Sequence, residues 1–164
     1  MIKIALTNLA AYNDGDLIFE WVDLPCDDFT EVLERIGNPE EYFISDYECE
    51  ISHMKIHEYE NLDELNELAE SLNRLFPYEL KAVEAIMEID GSNVEEAIDI
   101  VKEGRCFFYE VDSFEDFIDL VVDDGFFGEI TDEVKEFLDY EKLTNYFKNC
   151  GYSLTSVGII NTDF

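Results

Sequence analysis

The sequence predicts an α+β protein made of three small units docked end to end in an elongated chain: a mixed α/β unit over 1–60, a helical unit over 61–104 and a second mixed α/β unit over 105–164. Three observations predict this. β-rich runs stand near both ends of the chain, the hydrophobic period becomes helical from Asn61, and no Gly/Ser linker separates the parts. With 164 residues, 47% of them hydrophobic and 14% aromatic, there is enough apolar material for a core, and charge-driven disorder is excluded.

In the N-terminal unit, IKIALTNL and DLIFEWVDL read as strands separated by AAYNDG, whose Asn13, Asp14 and Gly15 supply turn chemistry. DDFTEVLERIG has helical spacing from an Asp cap to a Gly stop at Gly37, and YFISDYECEI resumes an extended pattern. In the middle unit, NLDELNELAESLNRL places Leu62, Leu65, Leu68, Ala69 and Leu72 on one stripe and Asp63, Glu64, Glu67 and Glu70 opposite, with Asn61 and Glu64 as the capping pair. Pro77 opens a second helix closed by Gly91, and Ser92 with Glu95 is the expected cap of a third that ends at Gly104. In the last unit RCFFYEV is a strand, FEDFIDLVVDDG a helix capped by Ser113, TDEVKEFL and DYEKLTNYFKNCG two shorter helices, and YSLTSVGII a final extended stretch. Alternation puts Phe107 and Tyr109 on one side of the RCFFYEV strand and Phe108 on the other, so a face is left for a partner subunit and Phe107 and Tyr109 are the expected dimer interface.

Charge is the most informative total: 41 acidic against 10 basic residues, a formal net of -31. Self-repulsion on that scale opposes compaction, so the acidity asks for a reason other than stability. Direct binding of nucleic acid is excluded, because neutralising phosphates takes clustered Lys and Arg, and an anionic membrane surface repels such a chain. Cys26, Cys49, Cys106 and Cys150 are scattered without a C-x-x-C pair, and the N-terminus lacks a signal peptide's basic region and unbroken apolar core. The reading is reduced thiols in a cytoplasmic protein, with no apolar run near the ~18 residues of a membrane span.

The acid-rich stretch DDGFFGEITDEVKEFLDYEKL invites a catalytic, a metal-binding or a surface explanation. A glycosidase-like pair needs two acids in different environments, one kept protonated by burial, whereas Glu115, Asp116 and Asp119 lie on the polar stripe opposite Phe114, Phe117, Ile118 and Val121. Calcium loops of the EF-hand type fail at their first position, since counting back from Gly15, Gly91 and Gly125 reaches Ala10, Ile86 and Leu120. His53 and His57 are four apart, but in an extended pattern and without a third ligand. No cofactor and no metal are expected. A solvated acidic surface on long helical stripes remains, and stripes have a geometric counterpart. Carboxylates three or four residues apart on a helix have Cβ atoms about 5 to 6 Å apart, comparable to the phosphate spacing implied by a rise of roughly 3.4 Å per strand of DNA.

Over nearly its full length the chain resembles the ArdA family of antirestriction proteins. The blocks that carry the resemblance are LAAYNDGDLIFEWVD, EEYFISDYE, GSNVEEAIDIVKEG, and GFFGEITDEVKEFLDYEKL followed by Gly151 and Tyr152. The first and last are the specific ones; VEEAIDIV also resembles ubiquitin-associated modules, and Phe19 stands where the family usually has Gly. The resemblance implies three small domains in an acidic, elongated dimer that imitates bent B-form DNA, and an antirestriction motif over 125–143. It implies a non-enzymatic inhibitor encoded on a mobile element or phage, occupying the DNA-binding groove of type I restriction-modification enzymes at their methyltransferase and specificity subunits. The acids expected to present phosphate-like charge are Glu115, Asp116, Asp119, Asp123, Asp124, Glu129, Asp132, Glu133, Glu136, Asp139 and Glu141. Two rival classes are a carboxylate-dependent hydrolase, which requires one indispensable acid, and an acidic adaptor binding a peptide or ubiquitin through the middle helices alone.

Overall fold

A computed structural model describes residues 2–162. The architecture is α+β, with two three-stranded antiparallel sheets, and contacts group the chain into two compact units, Met1–Phe76 and Pro77–Phe164.

In the first unit β1 (Ile2–Asn8) is the central strand between β2 (Phe19–Leu24) and β3 (Tyr42–Cys49). Strand alternation sends Ile2, Ile4, Leu6, Val22 and Leu24 into the core. On the opposite face Ala5 lies between Trp21 and Asp46. The β1–β3 register slips between Ala5 and Leu6, because Ser45 is an extra residue between Ile44 and Asp46. The Ser45 hydroxyl meets the Thr7 hydroxyl at 2.7 Å, which satisfies a buried polar group at the bulge.

Asn8 is 8% exposed and ties three elements together. Its Oδ1 accepts from the Ala11 N–H at 3.0 Å, capping α1 (Leu9–Asn13), and its Nδ2 donates to the Ile36 carbonyl at 3.0 Å, at the end of α2 (Phe29–Arg35). Helix α2 is capped by Asp28, whose Oδ1 accepts from the Thr30 N–H at 2.8 Å, and the chain leaves it through Gly37 at φ +90°. Helix α3 (Leu62–Asn73) buries Leu62, Leu65, Ala69 and Leu72, is capped by Asn61, and packs on β2. The Asn66 side chain fastens it there, accepting from the Cys26 N–H at 2.7 Å and donating to the Cys26 carbonyl at 3.1 Å.

The second unit begins with α4 (Pro77–Asp90) and α5 (Val94–Lys102), continues through β4 (Phe107–Tyr109), α6 (Phe114–Asp123), α7 (Asp132–Lys135) and α8 (Tyr140–Asn149), and closes with β5 (Ser153–Leu154) and β6 (Ile159–Asn161). Its sheet has the order β4-β6-β5. Helix α4 packs on α5 and on β6. The Glu88 carboxylate accepts from the Ser156 N–H at 2.9 Å and its hydroxyl at 2.6 Å, so α4 holds the β5–β6 turn. Buried Asn161 donates through Nδ2 to the Cys150 carbonyl at 2.9 Å, which pins the end of α8 to β6. Among the described residues no helix is long and apolar enough to cross a membrane.

Details differ from the sequence reading in three places. AAYNDG is not only a turn, because Leu9–Asn13 forms a short helix once Asn8 caps it. Asn93, not Ser92, caps α5, accepting from the Glu96 N–H at 2.8 Å; Ser92 is already engaged, its N–H and hydroxyl both donating to Asp90. The final extended stretch is a hairpin of β5 and β6 turning through Thr155–Gly158, where the Thr155 N–H donates to the Gly158 carbonyl at 2.8 Å.

Gly158 has φ +154°, and a Cβ there would meet the Tyr109 carbonyl oxygen and come within 2.8 Å of the Phe108 ring. Gly158→Ala is expected to destabilise the C-terminal unit by about 3 kcal/mol, combining backbone strain with overpacking; urea denaturation measures it, and an unchanged midpoint would contradict this packing.

Candidate functional site

The acid-rich segment comprises α6, α7 and α8; α6 and α8 pack on one aromatic core, whereas α7 buries no residue. Helix α6 is amphipathic: Phe114, Phe117, Ile118, Val121 and Val122 are buried, while Glu115, Asp116, Asp119 and Asp123 stand in water. Phe117 is the hub, in edge contact with Phe147 of α8 at 4.8 Å between centroids and with Tyr109 of β4 at 4.9 Å, and tilted against Tyr152 at 5.1 Å. That contact set fixes the rotation of α6 and hence the direction of its carboxylates. Ser113 begins the helix, its Oγ accepting from the Asp116 N–H at 3.1 Å and donating to the Asp116 carboxylate at 2.5 Å.

Beyond α6 the chain turns at Gly125 and Gly128, both at positive φ, and returns through the single turn of α7. Lys135 stitches that turn to α6: its Nζ lies 2.6 Å from Asp123 and 3.5 Å from Asp132, and the Asp123 hydrogen bond holds the ammonium above its ordinary range. Asp139 caps α8, its Oδ1 accepting from the Lys142 N–H at 3.1 Å and its Oδ2 pairing with the Lys142 Nζ at 2.8 Å; these contacts hold its carboxyl below the usual range. Tyr140 donates its hydroxyl to Asp119 at 2.5 Å and so joins α8 to α6.

Every acid singled out from the sequence, Glu115, Asp116, Asp119, Asp123, Asp124, Glu129, Asp132, Glu133, Glu136, Asp139 and Glu141, is solvent-exposed. Lys135 and Lys142 are the cations that pair with this set among the described residues, so most of its charge is uncompensated. Of the two residues assigned to a dimer contact, Phe107 is 53% exposed, while Tyr109 packs half-buried on Phe117.

Among the described residues no carboxylate is buried, and the buried polar side chains are Thr7, Asn8, Thr155 and Asn161. An open cleft of about 480 Å³ in the first unit is lined by Tyr42, Tyr59 and the carboxylates of Glu40, Glu41, Glu58 and Glu60; of these acids Glu40, Glu41 and Glu58 are exposed and Glu60 is half-buried. His53 and His57 are exposed in the irregular segment after β3, and no group of three or more metal-ligating side chains occurs among the described residues. The sequence did not single out Phe126, Phe127 and Tyr146, which surround Phe147 and are 55%, 42% and 49% exposed. The aromatic pair next to Asp124 was the available signal, but only the fold shows that these rings lie outside.

Hydrogen bonding to Asp119 is the largest influence raising the Tyr140 phenol, and the charges of Asp119, Glu115 and Asp123 act in the same direction. Because the folded value is raised, the contribution of this bond is present below the ordinary tyrosine range near pH ~10 and is lost as pH rises through the folded value. Asp119→Asn is expected to lower the Tyr140 titration, as followed by NMR of ring-labelled tyrosine; an unmoved titration would mean that the bond is not held in solution.

No curated protein matches the chain. A family model described as antirestriction protein (ArdA) matches residues 4–161, spanning both sheets and all the helices that carry the acidic face. The chain belongs to the ArdA antirestriction family.

Proposed function

We propose that this protein inhibits type I restriction-modification enzymes by presenting the acids of α6, α7 and α8 as a substitute for a DNA backbone. The observation that carries the reading is the exposed, largely uncompensated carboxylate array held at fixed orientation by the Phe117 core, in a chain of the antirestriction family. A cleft built for nucleic acid offers Lys and Arg at intervals set by phosphates, and carboxylates one helical turn apart match them. Long-range attraction between the two surfaces speeds encounter. The partner surface is the DNA-binding groove of the methyltransferase and specificity subunits. The protein performs no catalysis, needs no cofactor and acts in the cytoplasm, where incoming DNA meets the restriction enzyme.

Energy shared over many contacts makes each one dispensable. In competition against duplex DNA for a type I methyltransferase, a single Asp→Asn change such as Asp116→Asn is expected to weaken inhibition by less than about threefold. Simultaneous replacement of Asp119, Asp123, Asp132, Glu133 and Glu136 by amides is expected to weaken it about 100-fold or more and to flatten its salt dependence. Complete loss from one conservative change would return the array to an active-site reading.

The same reading includes a homodimer through Phe107 and Tyr109, supported by the exposed Phe107 ring on β4, an edge strand of its sheet. Phe107→Asp is expected to give a monomer by light scattering with an unchanged circular dichroism spectrum. A dimer that persists would place the interface elsewhere.

A further inference from the structure

The acidic face is interrupted by an apolar patch. Where the chain leaves α6, Phe126 and Phe127 pack edge to face at 5.0 Å between centroids, and both lean on Phe147, at 5.6 and 6.1 Å. Tyr146 of α8 approaches the same ring at 5.3 Å. Phe147 is 1% exposed, so it forms the floor, and the other three rings keep much of their area in water around it. Isolated exposed rings are ordinary, but several sharing one floor form a patch that favours a covering.

Surrounding charge selects what covers it. Asp124 precedes the phenylalanines and Glu129 follows them, both exposed, while Asp123, also exposed, is paired with Lys135. A second copy of this chain would bring the same rim acids to the same patch, and like charges would meet around the apolar centre. A cationic partner meets the rim with opposite charge and can lay guanidinium groups on the aromatic faces. We propose that Phe126, Phe127 and Tyr146 are an apolar anchor that docks against the Arg and apolar side chains with which a DNA-binding cleft otherwise meets nucleobases. The anchor rests on the DNA-mimic reading above and divides the labour within it: the carboxylates take the phosphate contacts, and the rings supply a share of affinity that does not fall with ionic strength, since apolar burial is not screened.

Competition against duplex DNA for a type I methyltransferase, repeated from about 50 to about 500 mM NaCl, separates the two shares. Phe126→Ala combined with Phe127→Ala is expected to bind about tenfold more weakly at every salt concentration, with the wild-type slope of log affinity against log salt and unchanged light scattering. The amide stripe variant changes that slope instead. Should the double variant lose its cooperative thermal transition, Tyr146→Ala, which removes a ring from the rim, carries the same expectation. Wild-type competition by a folded patch variant overturns the anchor alone. A patch variant that only changes the oligomeric state assigns the patch to a second copy and also overturns it. If the wild-type protein displaces no DNA, the mimic reading fails and the anchor falls with it.

Discussion

Forty-one carboxylates against ten bases cannot be paired off, and an unpaired carboxylate taken out of water costs several kcal/mol. Water contact for nearly every acid is therefore the constraint under which the fold is built. The described interior obeys it: aliphatic and aromatic side chains fill it, and its few polar groups are hydroxyls and amides. Two of those amides act as fasteners where ion pairs would serve in a more balanced protein. Asn8 joins β1 to α1 and α2, and Asn161 joins β6 to the end of α8.

Cohesion then falls to the aromatic groups. Phe117 and Phe147, both essentially inaccessible, lock α6 against α8, and Tyr109 and Tyr152 close over them from the sheet side. Because the rings set the helix rotation, the polar stripes of α6 and α8 acquire defined directions without contacts among the acids themselves. The few bases near the array have local duties. Lys135 secures the short α7 to α6 and Lys142 reinforces the cap of α8, so the cations shape the acidic face while leaving most of its charge intact.

Much of this was legible in the sequence, for physical reasons that differ by element. Helices α3 and α6 announce themselves through a 3.6-residue apolar period and an Asn or Ser cap, signals that need no tertiary partner. The exposure of the acids followed from the same periodicity. Less visible were features decided by neighbours: Ser92 and Asn93 are both good caps, and Asp90 settles the choice by occupying Ser92. Helix α1 is too short to declare itself and depends on a buried asparagine that reads as an ordinary strand end. The β5–β6 hairpin hid in what reads as one extended stretch because its turn relies on Gly158 under the Phe108 ring rather than on a recognisable turn dipeptide. Exposure of Phe126 and Phe127 likewise emerges only when Phe147 takes the single interior place between them and Phe117.

The uncompensated array on α6, α7 and α8 has a thermodynamic consequence in solution. So dense a row of fixed anions gathers mobile cations from the medium, as a polynucleotide does, and gives them up when a basic surface takes their place. Under the proposed function, the protein and the nucleic acid draw on the same mixing entropy, and their contest for one site depends on how many ions each sets free.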